Sequence, residues 1–337
     1  MQGDEEIYQV SQLYPYKLAP YPLTVEPSTE NLPESLGPHD VVTRVHAVSL
    51  NFRDVAVLQE GRYPGGQIAG GIPASDCAAE VVAVGSEVKL EGGDRVSVQF
   101  NLTNLTGRER DGGLMALGGD AEGVLAEYLV FEEKCLVKLP GQLTWEEAST
   151  IACAGMTAWT SLNRLKDLQE GSFALISMFG HLICIAAGIK PIITSSSNEK
   201  IEQIKKLSPE VEGINYKEHK DVAEEVLRLA GGTGVDYVIN NIGSSSIPNN
   251  IKALRKKFGT VSLVGFLGGH LGDAPRDIFL QLLFKAAKIQ GIAVGSEVEF
   301  EELNQFLEDK KFTFDNAPAA FDYLISGKHT GKVGITF

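Results

Sequence analysis

The spacing of hydrophobic residues changes along the chain and separates a strand-rich first part from a mixed second part. Before Thr144, β-branched runs that partly alternate with polar residues predict strands over 41–48, 80–85, 94–100 and from 127 onward. The stretch 101–120 is rich in Gly and polar residues and has no clear period, so it is predicted as a loop. The first part is therefore predicted to be a β-rich domain.

After Thr144, strands and helices alternate. Thr144 and Glu147 have the spacing of a capping box, in which the hydroxyl accepts from a backbone N–H three residues later and the carboxylate reaches back, so a helix through 148–151 is expected. Strands are predicted over 173–176, 191–194, 235–240, 260–265 and 290–293, and helices over 157–168, 179–187, 198–207, 222–229, 247–257 and 276–288. Such alternation is typical of a parallel, doubly wound sheet.

The end of the chain is predicted to hold helices over 300–307 and 317–325 and a closing strand over 332–337. The predicted architecture is α/β, with a β-rich domain over 1–143 to which 300–337 returns, and a Rossmann-type domain over 144–299. Because open parallel sheets bind ligands beyond the carboxyl ends of their strands, a cleft between the two domains is the expected site.

Composition excludes several classes of partner. The net charge of −14 disfavours nucleic acid and anionic lipid, and four cysteines in 337 residues do not make a disulfide framework. The N-terminus is acidic, unlike a signal peptide, and the most apolar stretch, 173–189, contains Ser177 and His181 and is too short for a membrane span. A cytoplasmic protein with a small-molecule substrate, and with neither nucleic acid nor membrane as a partner, is expected.

Several motifs along the whole chain resemble one superfamily. They are 47–54 (AVSLNFRD), 61–64 (GRYP), 84–85 with 93–96 (VG and GDRV), 153–159 (CAGMTAW), 193–197 (ITSSS), 214–216 (INY), and 326–328 with 331–333 (SGK and GKV). In this order they resemble the medium-chain dehydrogenase/reductases, in particular their zinc-independent quinone oxidoreductase and enoyl reductase-like branch. The resemblance implies a GroES-like β-rich catalytic domain and a Rossmann cofactor domain.

The resemblance also allows a test for zinc. In the metal-dependent branch a Cys, a His and a Cys hold a catalytic zinc with one open position. Here Asn51 stands at the first ligand position, Ser75, next to Asp76, at the second, and Cys153 at the third. One thiolate does not make a zinc site, so no metal is expected, and Cys153 is interpreted as a small buried residue.

The Gly-rich phosphate turn of the family is missing. In relatives, glycines between the first Rossmann strand and its helix let the backbone approach the pyrophosphate. Here the strand 173–176 runs directly into Ser177, Met178 and Phe179, and about six residues of the motif are absent. A second shortening follows Lys311, where the family has a strand of about ten residues.

Other cofactor positions are retained. The hydroxyls of Ser195, Ser196 and Ser197, together with Lys200, follow the second Rossmann strand, where an NAD enzyme carries an acidic residue. They suit the 2′-phosphate of NADP, although a plain loop and helix cap is the alternative interpretation. The resemblance also assigns positions beside the adenosine or the nicotinamide, at Tyr216, Asn241, Val264, Phe266 and Val294. For Tyr216 a core position is the alternative, and for Asn241, Val264 and Phe266 simple strand-end turns are.

The resemblance implies hydride transfer from NADPH to an activated double bond or a quinone. Asn51, Tyr63 and Thr157 occupy the positions that face nicotinamide and substrate, and Tyr63 could donate a proton to a developing enolate. Arg53 and Asp54 are interpreted as a structural ion pair or cap. Relatives are often dimers through edge strands of the cofactor domain, so a homodimer is one expectation.

Three hypotheses remain open on the sequence. The first is a zinc-independent, NADPH-dependent reductase of an enone, quinone or enoyl-type small molecule. The second is a cofactor-independent cyclase or isomerase on the same fold, and the third is a non-catalytic pseudo-reductase. The missing Gly-rich turn is the reason for keeping the second and third.

Overall fold

The computed structural model describes residues 10–17, 23–60, 63, 70–176, 180–269, 278–311 and 333–337. Two compact units emerge, one made of 1–156 with 295–337 and one of 157–294. The sequence placed the boundaries at 143/144 and 299/300. The segment after 143 groups with the first unit because the Trp145 ring stacks on His46, with ring centroids 4.2 Å apart, and lies under the Arg95 guanidinium at 4.0 Å.

Strands and helices follow one another in both units. The strands are β1 Val10–Leu13, β2 Tyr16–Lys17, β3 Thr24–Val25, β4 Ser28–Asn31, β5 Asp40–Leu50, β6 Asp76–Val84, β7 Arg95–Val98, β8 Tyr128–Glu132, β9 Leu136–Lys138, β10 Phe173–Ile176, β11 Lys190–Ser195, β12 Glu212–Asn215, β13 Tyr237–Asn240, β14 Thr260–Leu263, β15 Lys288–Gly291 and β16 Val333–Thr336. The helices are α1 Phe52–Ala56, α2 Trp145–Ala148, α3 Met156–Ser161, α4 His181–Ala186, α5 Asn198–Lys205, α6 Val222–Leu229, α7 Ile247–Ala253, α8 Ile278–Lys285 and α9 Glu297–Asp309.

The first unit is built on an antiparallel sheet in the order β16-β5-β6-β7-β9, with β8 also paired to β5. The side chains of Val41, Val45 and Val48 on β5 are buried in its core, since every one of them is at most 1% exposed. The closing strand β16 returns to this unit and pairs antiparallel with β5.

The second unit contains a six-stranded parallel sheet in the order β12-β11-β10-β13-β14-β15. Numbered from β10, this is the order 3-2-1-4-5-6 of the Rossmann fold, and the strand order reverses between β10 and β13. The central strands β10, β13 and β14 are mostly buried, as is expected where helices cover both faces of a parallel sheet. The predicted doubly wound sheet is therefore confirmed.

Local differences from the sequence prediction have local causes. The helix predicted to reach residue 257 ends at Ala253, because Leu254 is extended (ψ 150°) and the Arg255 N–H donates to the Val235 carbonyl at 2.9 Å. The helix predicted over 157–168 ends at Ser161, and the residues 163–165 adopt left-handed φ angles. Strand β12 lacks an apolar run and was not predicted.

The helix predicted over 317–325 lies outside the described residues. None of the helices that are described is long and apolar enough to cross a bilayer.

Candidate cofactor and active site

The carboxyl edge of the parallel sheet gathers the residues predicted to bind the cofactor. The residues 195–197 end β11 and follow it, Tyr216 follows β12, and Asn241 follows β13. Val264 and Phe266 come directly after β14, and Val294 follows β15. Because these strands are parallel, their carboxyl ends share one edge, and open α/β sheets bind ligands at that edge.

Two neighbouring asparagines stand beside the switch point. Both ends of the Asn240 amide are hydrogen-bonded, since its Oδ1 accepts from the N–H groups of Ile242 and Gly243 at 2.9 Å each and its Nδ2 donates to the Gly243 carbonyl at 3.2 Å. The Asn241 side chain is 5% exposed, and its Oδ1 has no hydrogen-bond partner among the described residues. A buried amide oxygen without a partner is costly, so this atom is a candidate ligand contact.

The segment after β14 holds Asn241 in place. The Leu267 N–H donates to the Asn241 carbonyl at 2.8 Å, and the Gly268 N–H donates to the Ile242 carbonyl at 2.8 Å. Gly243 has a φ of +106°, and a Cβ there would lie 3.1 Å from the Gly269 carbonyl oxygen, so the close approach of the two turns requires glycine. Val264 and Phe266, in this segment, are half-buried.

Val294 has an unusual backbone conformation for a β-branched residue, with a φ of +61°. Its carbonyl accepts from the Thr160 hydroxyl at 2.5 Å, which helps to hold the conformation. Outliers of this kind cluster at functional sites. The conformation agrees with a ligand-facing position.

The serine run forms the helix cap that the sequence offered as one interpretation. Ser197 is the N-cap of α5 and accepts from the Lys200 N–H at 3.4 Å, and the Ser195 hydroxyl accepts from the Ser197 N–H at 3.2 Å. The helix cap is therefore real, but each capping hydroxyl retains its hydrogen as a donor. Ser196 is half-buried, and its hydroxyl has no recorded partner within the described part of the chain.

Tyr216 is not a core residue. Its side chain is 50% exposed, and its N–H donates to the Ser195 carbonyl at 3.1 Å. The alternative of a buried core tyrosine is therefore wrong, because half of the side chain is exposed. An exposed ring at that place is able to stack on a planar group.

The turn from β10 into α4 is short. Only four residues separate Ile176 from His181, and Gly180, the last of them, is buried with a φ of +130°. A Cβ on Gly180 would lie 3.1 Å from Cδ1 of Ile239 and 3.5 Å from Cγ2 of Ile176, so this glycine packs against apolar side chains of β13 and β10.

In the first unit, Asn51, Ser75 and Asp76, the first residue of β6, form one polar cluster. The Asn51 Nδ2 donates to Asp76 Oδ2 at 3.1 Å and lies 3.4 Å from the Ser75 hydroxyl. The Asn51 N–H donates to the Asp54 carboxylate at 2.6 Å, so Asp54 has the predicted capping role at the start of α1. The first two zinc-ligand positions of the family are thus brought together, but as an amide and a hydroxyl.

Tyr63 lies against Arg53. The Arg53 guanidinium is 5.6 Å from the Tyr63 ring centroid and 5.0 Å from that of Phe100, and it donates to the Leu117 carbonyl. Burial lowers the pKa of Arg53, but the negative charge of Asp54 and a hydrogen bond with Tyr63 more than offset this, so the pKa is raised. The sequence interpretation of Arg53 as only a structural partner missed this contact with the candidate proton donor.

Thr157 and Cys153 lie at a helical irregularity. Residues Ile151–Gly155 form a π-helical turn directly before α3, and such turns are frequent at functional sites. Cys153 is half-buried rather than buried, which corrects the sequence interpretation. Thr157 is also half-buried, and its carbonyl accepts from the Ser161 hydroxyl at 2.5 Å.

The donor set does not fit a catalytic zinc. Zinc in such sites takes Cys, His or carboxylate ligands, whereas Asn51 presents an amide N–H to Asp76 and Ser75 presents a hydroxyl. Among the described residues, no three His, Cys, Asp or Glu side chains come together as a metal site. Zinc independence remains a prediction that this chemistry supports.

Comparisons with known proteins agree with this architecture. Residues 37–141 match the alcohol dehydrogenase GroES-like domain, and residues 176–309 match the zinc-binding dehydrogenase family. A zinc-type alcohol dehydrogenase-like protein of Schizosaccharomyces pombe is 34% identical over 329 residues, which are 92% of this chain and 94% of that protein. A quinone oxidoreductase-like protein 2 homolog of Nematostella vectensis is 26% identical over 93% of this chain and 86% of that protein.

A solved structure of a Sinorhizobium meliloti 1021 protein classed with the alcohol dehydrogenases superimposes with a TM-score of 0.85. It is 32% identical and covers 98% of this chain and 99% of that chain. The chain belongs to the medium-chain dehydrogenase/reductase superfamily, with a GroES-like unit and a Rossmann unit. Members of this superfamily are oxidoreductases, and the similar proteins are named as dehydrogenases or oxidoreductases.

Proposed function

We propose that this protein is a zinc-independent, NADPH-dependent oxidoreductase that reduces an enone, a quinone or an enoyl-type small molecule by hydride transfer. The observation that carries the proposal is the Asn241 Oδ1, a 95% buried amide oxygen with no partner among the described residues, at the edge where Rossmann sheets bind dinucleotides. An N–H or O–H group of a bound nicotinamide or ribose is the type of donor that would satisfy it.

The residues after β11 and β12 support the phosphorylated form of the cofactor. Ser195, Ser196 and Ser197 retain hydroxyl hydrogens as donors, Lys200 adds a positive charge, and Tyr216, whose side chain is 50% exposed, donates its backbone N–H to the Ser195 carbonyl. No carboxylate stands in 195–197, where one would repel a 2′-phosphate. These residues fit NADPH better than NADH.

The chemistry of reduction would come from the cofactor, which supplies the hydride. In the first unit, Tyr63 is the candidate proton donor, and the Arg53 guanidinium lies 5.6 Å from its ring centroid. The Asn51 amide, held by Asp76, keeps a fixed orientation. Thr157 keeps the substrate-side role that the resemblance implies.

A titration of NADPH fluorescence with the purified protein tests the proposal. We expect saturable binding, weaker binding of NADH, and a shift of preference toward NADH in Ser196→Asp, because the new carboxylate repels the 2′-phosphate. Absence of NADPH binding at high micromolar concentration would contradict the proposal.

A second candidate is a cofactor-independent cyclase or isomerase, or a non-catalytic relative. The sequence between β10 and α4 favours it, because the Gly-rich turn that would cradle a pyrophosphate is absent there, and the one described residue of the segment, Gly180, is buried against Ile239 and Ile176. Turnover of a substrate without NADPH would support the cyclase or isomerase. Absence of both NADPH binding and turnover would support the non-catalytic relative.

We further propose a homodimer formed through the β15 edge. Strand β15 is the last strand of the parallel sheet, so one side of it is unpaired within the described residues. On the preceding helix, α8, the side chains of Phe279, Leu283 and Phe284 are 77%, 71% and 77% exposed. An open strand edge beside an exposed apolar helix face suits a second copy of this chain.

A further inference from the structure

A cavity lies at the opposite edge of the Rossmann sheet from the candidate cofactor site. Its volume is about 900 Å³, and its lining includes Tyr237, Thr260 and Lys288, the first residues of β13, β14 and β15. These strands are parallel, so the cavity opens at their amino ends. The cofactor candidates follow the carboxyl ends of the same strands. The volume is in the range of small-molecule sites.

The lining is basic although the chain is acidic. Arg255, Lys256, Lys257 and Lys288 line the cavity, against Asp167 and Asp236, in a protein with a net charge of −14. Both carboxylates have partners. Arg255 pairs with Asp236, while Asp167 accepts from the Tyr237 hydroxyl at 3.1 Å and from the Asn163 amide at 2.6 Å.

Three amines of the cavity remain available. The side chains of Lys256, Lys257 and Lys288 are exposed and have no recorded ion pair or hydrogen bond in the part of the chain that the structure describes. Ammonium groups of this kind are point charges with three donors each, which suits phosphate oxygens. The unpaired charge of the cavity is therefore positive.

An exposed aromatic ring stands beside these amines. Phe258 is 78% exposed and has a φ of +65°, a conformation that is unfavourable for a bulky residue. Its N–H donates to the Lys285 carbonyl at 2.9 Å, which helps to fix the turn. Ala286, on the same wall, also has a positive φ, of +43°. A strained turn that presents a phenyl ring to solvent is more easily explained by a ligand than by packing.

We propose that this cavity binds a nucleoside phosphate, with the phosphates on Lys256, Lys257 and Lys288 and the base against the Phe258 ring. The proposal does not depend on the function of the carboxyl edge, because it uses none of the residues at that edge. The bound molecule would be a ligand additional to the cofactor.

Titration calorimetry of the whole protein with ADP tests the proposal. We expect Lys256→Gln/Lys257→Gln to weaken ADP binding at least about tenfold, because two phosphate contacts are lost. The control Lys310→Gln/Lys311→Gln removes the same charge from the first unit and should leave the affinity within about twofold. Lys288→Gln should weaken binding in the same direction and provides a second, single-site variant.

The carboxyl edge provides the competing explanation, since ADP resembles half of a dinucleotide. If Lys200→Gln abolishes ADP binding and the Lys256→Gln/Lys257→Gln variant binds as the natural chain does, the proposal is overturned. Failure of ADP to bind the natural chain would also overturn it. NADPH binding is measured separately, so the failure of one proposal is distinguishable from that of the other.

The ring contact has its own test with inorganic pyrophosphate, which has charge but no base. Phe258→Gly should weaken ADP binding more than pyrophosphate binding, and it should raise the thermal stability because glycine accepts a positive φ. Equal loss for both probes, or no loss for either, would overturn the assignment of the base to Phe258.

Discussion

Asn240 and Asn241 are adjacent at the carboxyl end of β13, but only the Asn240 side-chain oxygen accepts hydrogen bonds from the described residues. The Asn240 Oδ1 accepts two backbone N–H groups within its own turn, and the Asn241 Oδ1 accepts none among the described residues although the side chain is 95% buried. One asparagine therefore shapes the turn, and the other has a buried acceptor available to a ligand.

This difference predicts that replacement by leucine lowers stability at Asn240 and weakens cofactor binding at Asn241. Asn241→Leu should leave the free energy of unfolding within about 1 kcal/mol, since no hydrogen bond of its Oδ1 is lost, and should weaken NADPH binding about tenfold or more. Asn240→Leu should cost about 1–3 kcal/mol, because two N–H groups lose their acceptor. Urea unfolding and NADPH titration measure the two effects. Unchanged NADPH affinity in Asn241→Leu would count against the site.

The contact between Tyr63 and Arg53 predicts how proton donation responds to mutation. Tyr63→Phe should lower the turnover number by about 100-fold while NADPH binding persists, since loss of a general acid has effects of this size. Arg53 is 8% exposed and donates to the Leu117 carbonyl, so its removal would confound function with folding. The phenylalanine variant avoids this. A turnover number within about twofold of the natural chain would exclude Tyr63 as the proton donor.

The sequence predicted the elements with clear periodicity and missed those defined by tertiary contacts. Strand β10 and helix α6 begin and end where the pattern indicated, and the Thr144 cap forms, with its hydroxyl accepting from the Glu147 N–H at 3.2 Å. Strand β12 has the sequence EGIN and is a strand because it pairs with β11. No local pattern carries that information.

The site was predictable in position but not in detail. Parallel topology places the ends of β11 to β15 at one edge, and the family resemblance assigned Ser195, Tyr216 and Asn241 to the cofactor even though β12 was not predicted. Whether a polar atom is left without a partner depends on packing around it, which no spacing encodes. The sequence did not predict the cavity at the amino ends of the strands. Residues 255–257 were predicted to be helical, but the helix ends at Ala253 and these residues line the cavity instead.

The helix cap at Thr144 allows a quantitative test of the local sequence signal. Thr144→Ala should lower the free energy of unfolding by about 1 kcal/mol, because the N–H of Glu147 loses its acceptor at the start of α2. Thr144→Ser keeps the hydroxyl and serves as the control. Equal stability of the alanine and serine variants would show that the capping hydrogen bond contributes nothing.

The proposed dimer predicts a change of mass on a single charge substitution. The natural chain should elute with a mass near twice 36.3 kDa by light scattering, and Phe284→Asp should elute near 36.3 kDa, since a buried unpaired carboxylate opposes association. Phe284 is 77% exposed in the chain, so its replacement should not disturb the fold. A natural chain that elutes as a monomer at all concentrations would refute the dimer.

Glu297, the first residue of α9, predicts a defined pH dependence of stability. Burial, and then the like charge of Glu301, raise its pKa from 4.5 to about 6. Between these values the folded state binds more protons than the unfolded state, so the free energy of unfolding should fall as the pH rises from about 4.5 to 6, by about 1 kcal/mol. Glu297→Gln should match the natural chain near pH 4.5 and exceed its stability by that amount at pH 7. Glu301→Gln should reduce the effect but not remove it, because burial is the larger cause. Urea unfolding at several pH values measures the free energy of unfolding of both chains. If Glu297→Gln and the natural chain differ in this free energy by the same amount at every pH from 4.5 to 7, the raised pKa is disproved.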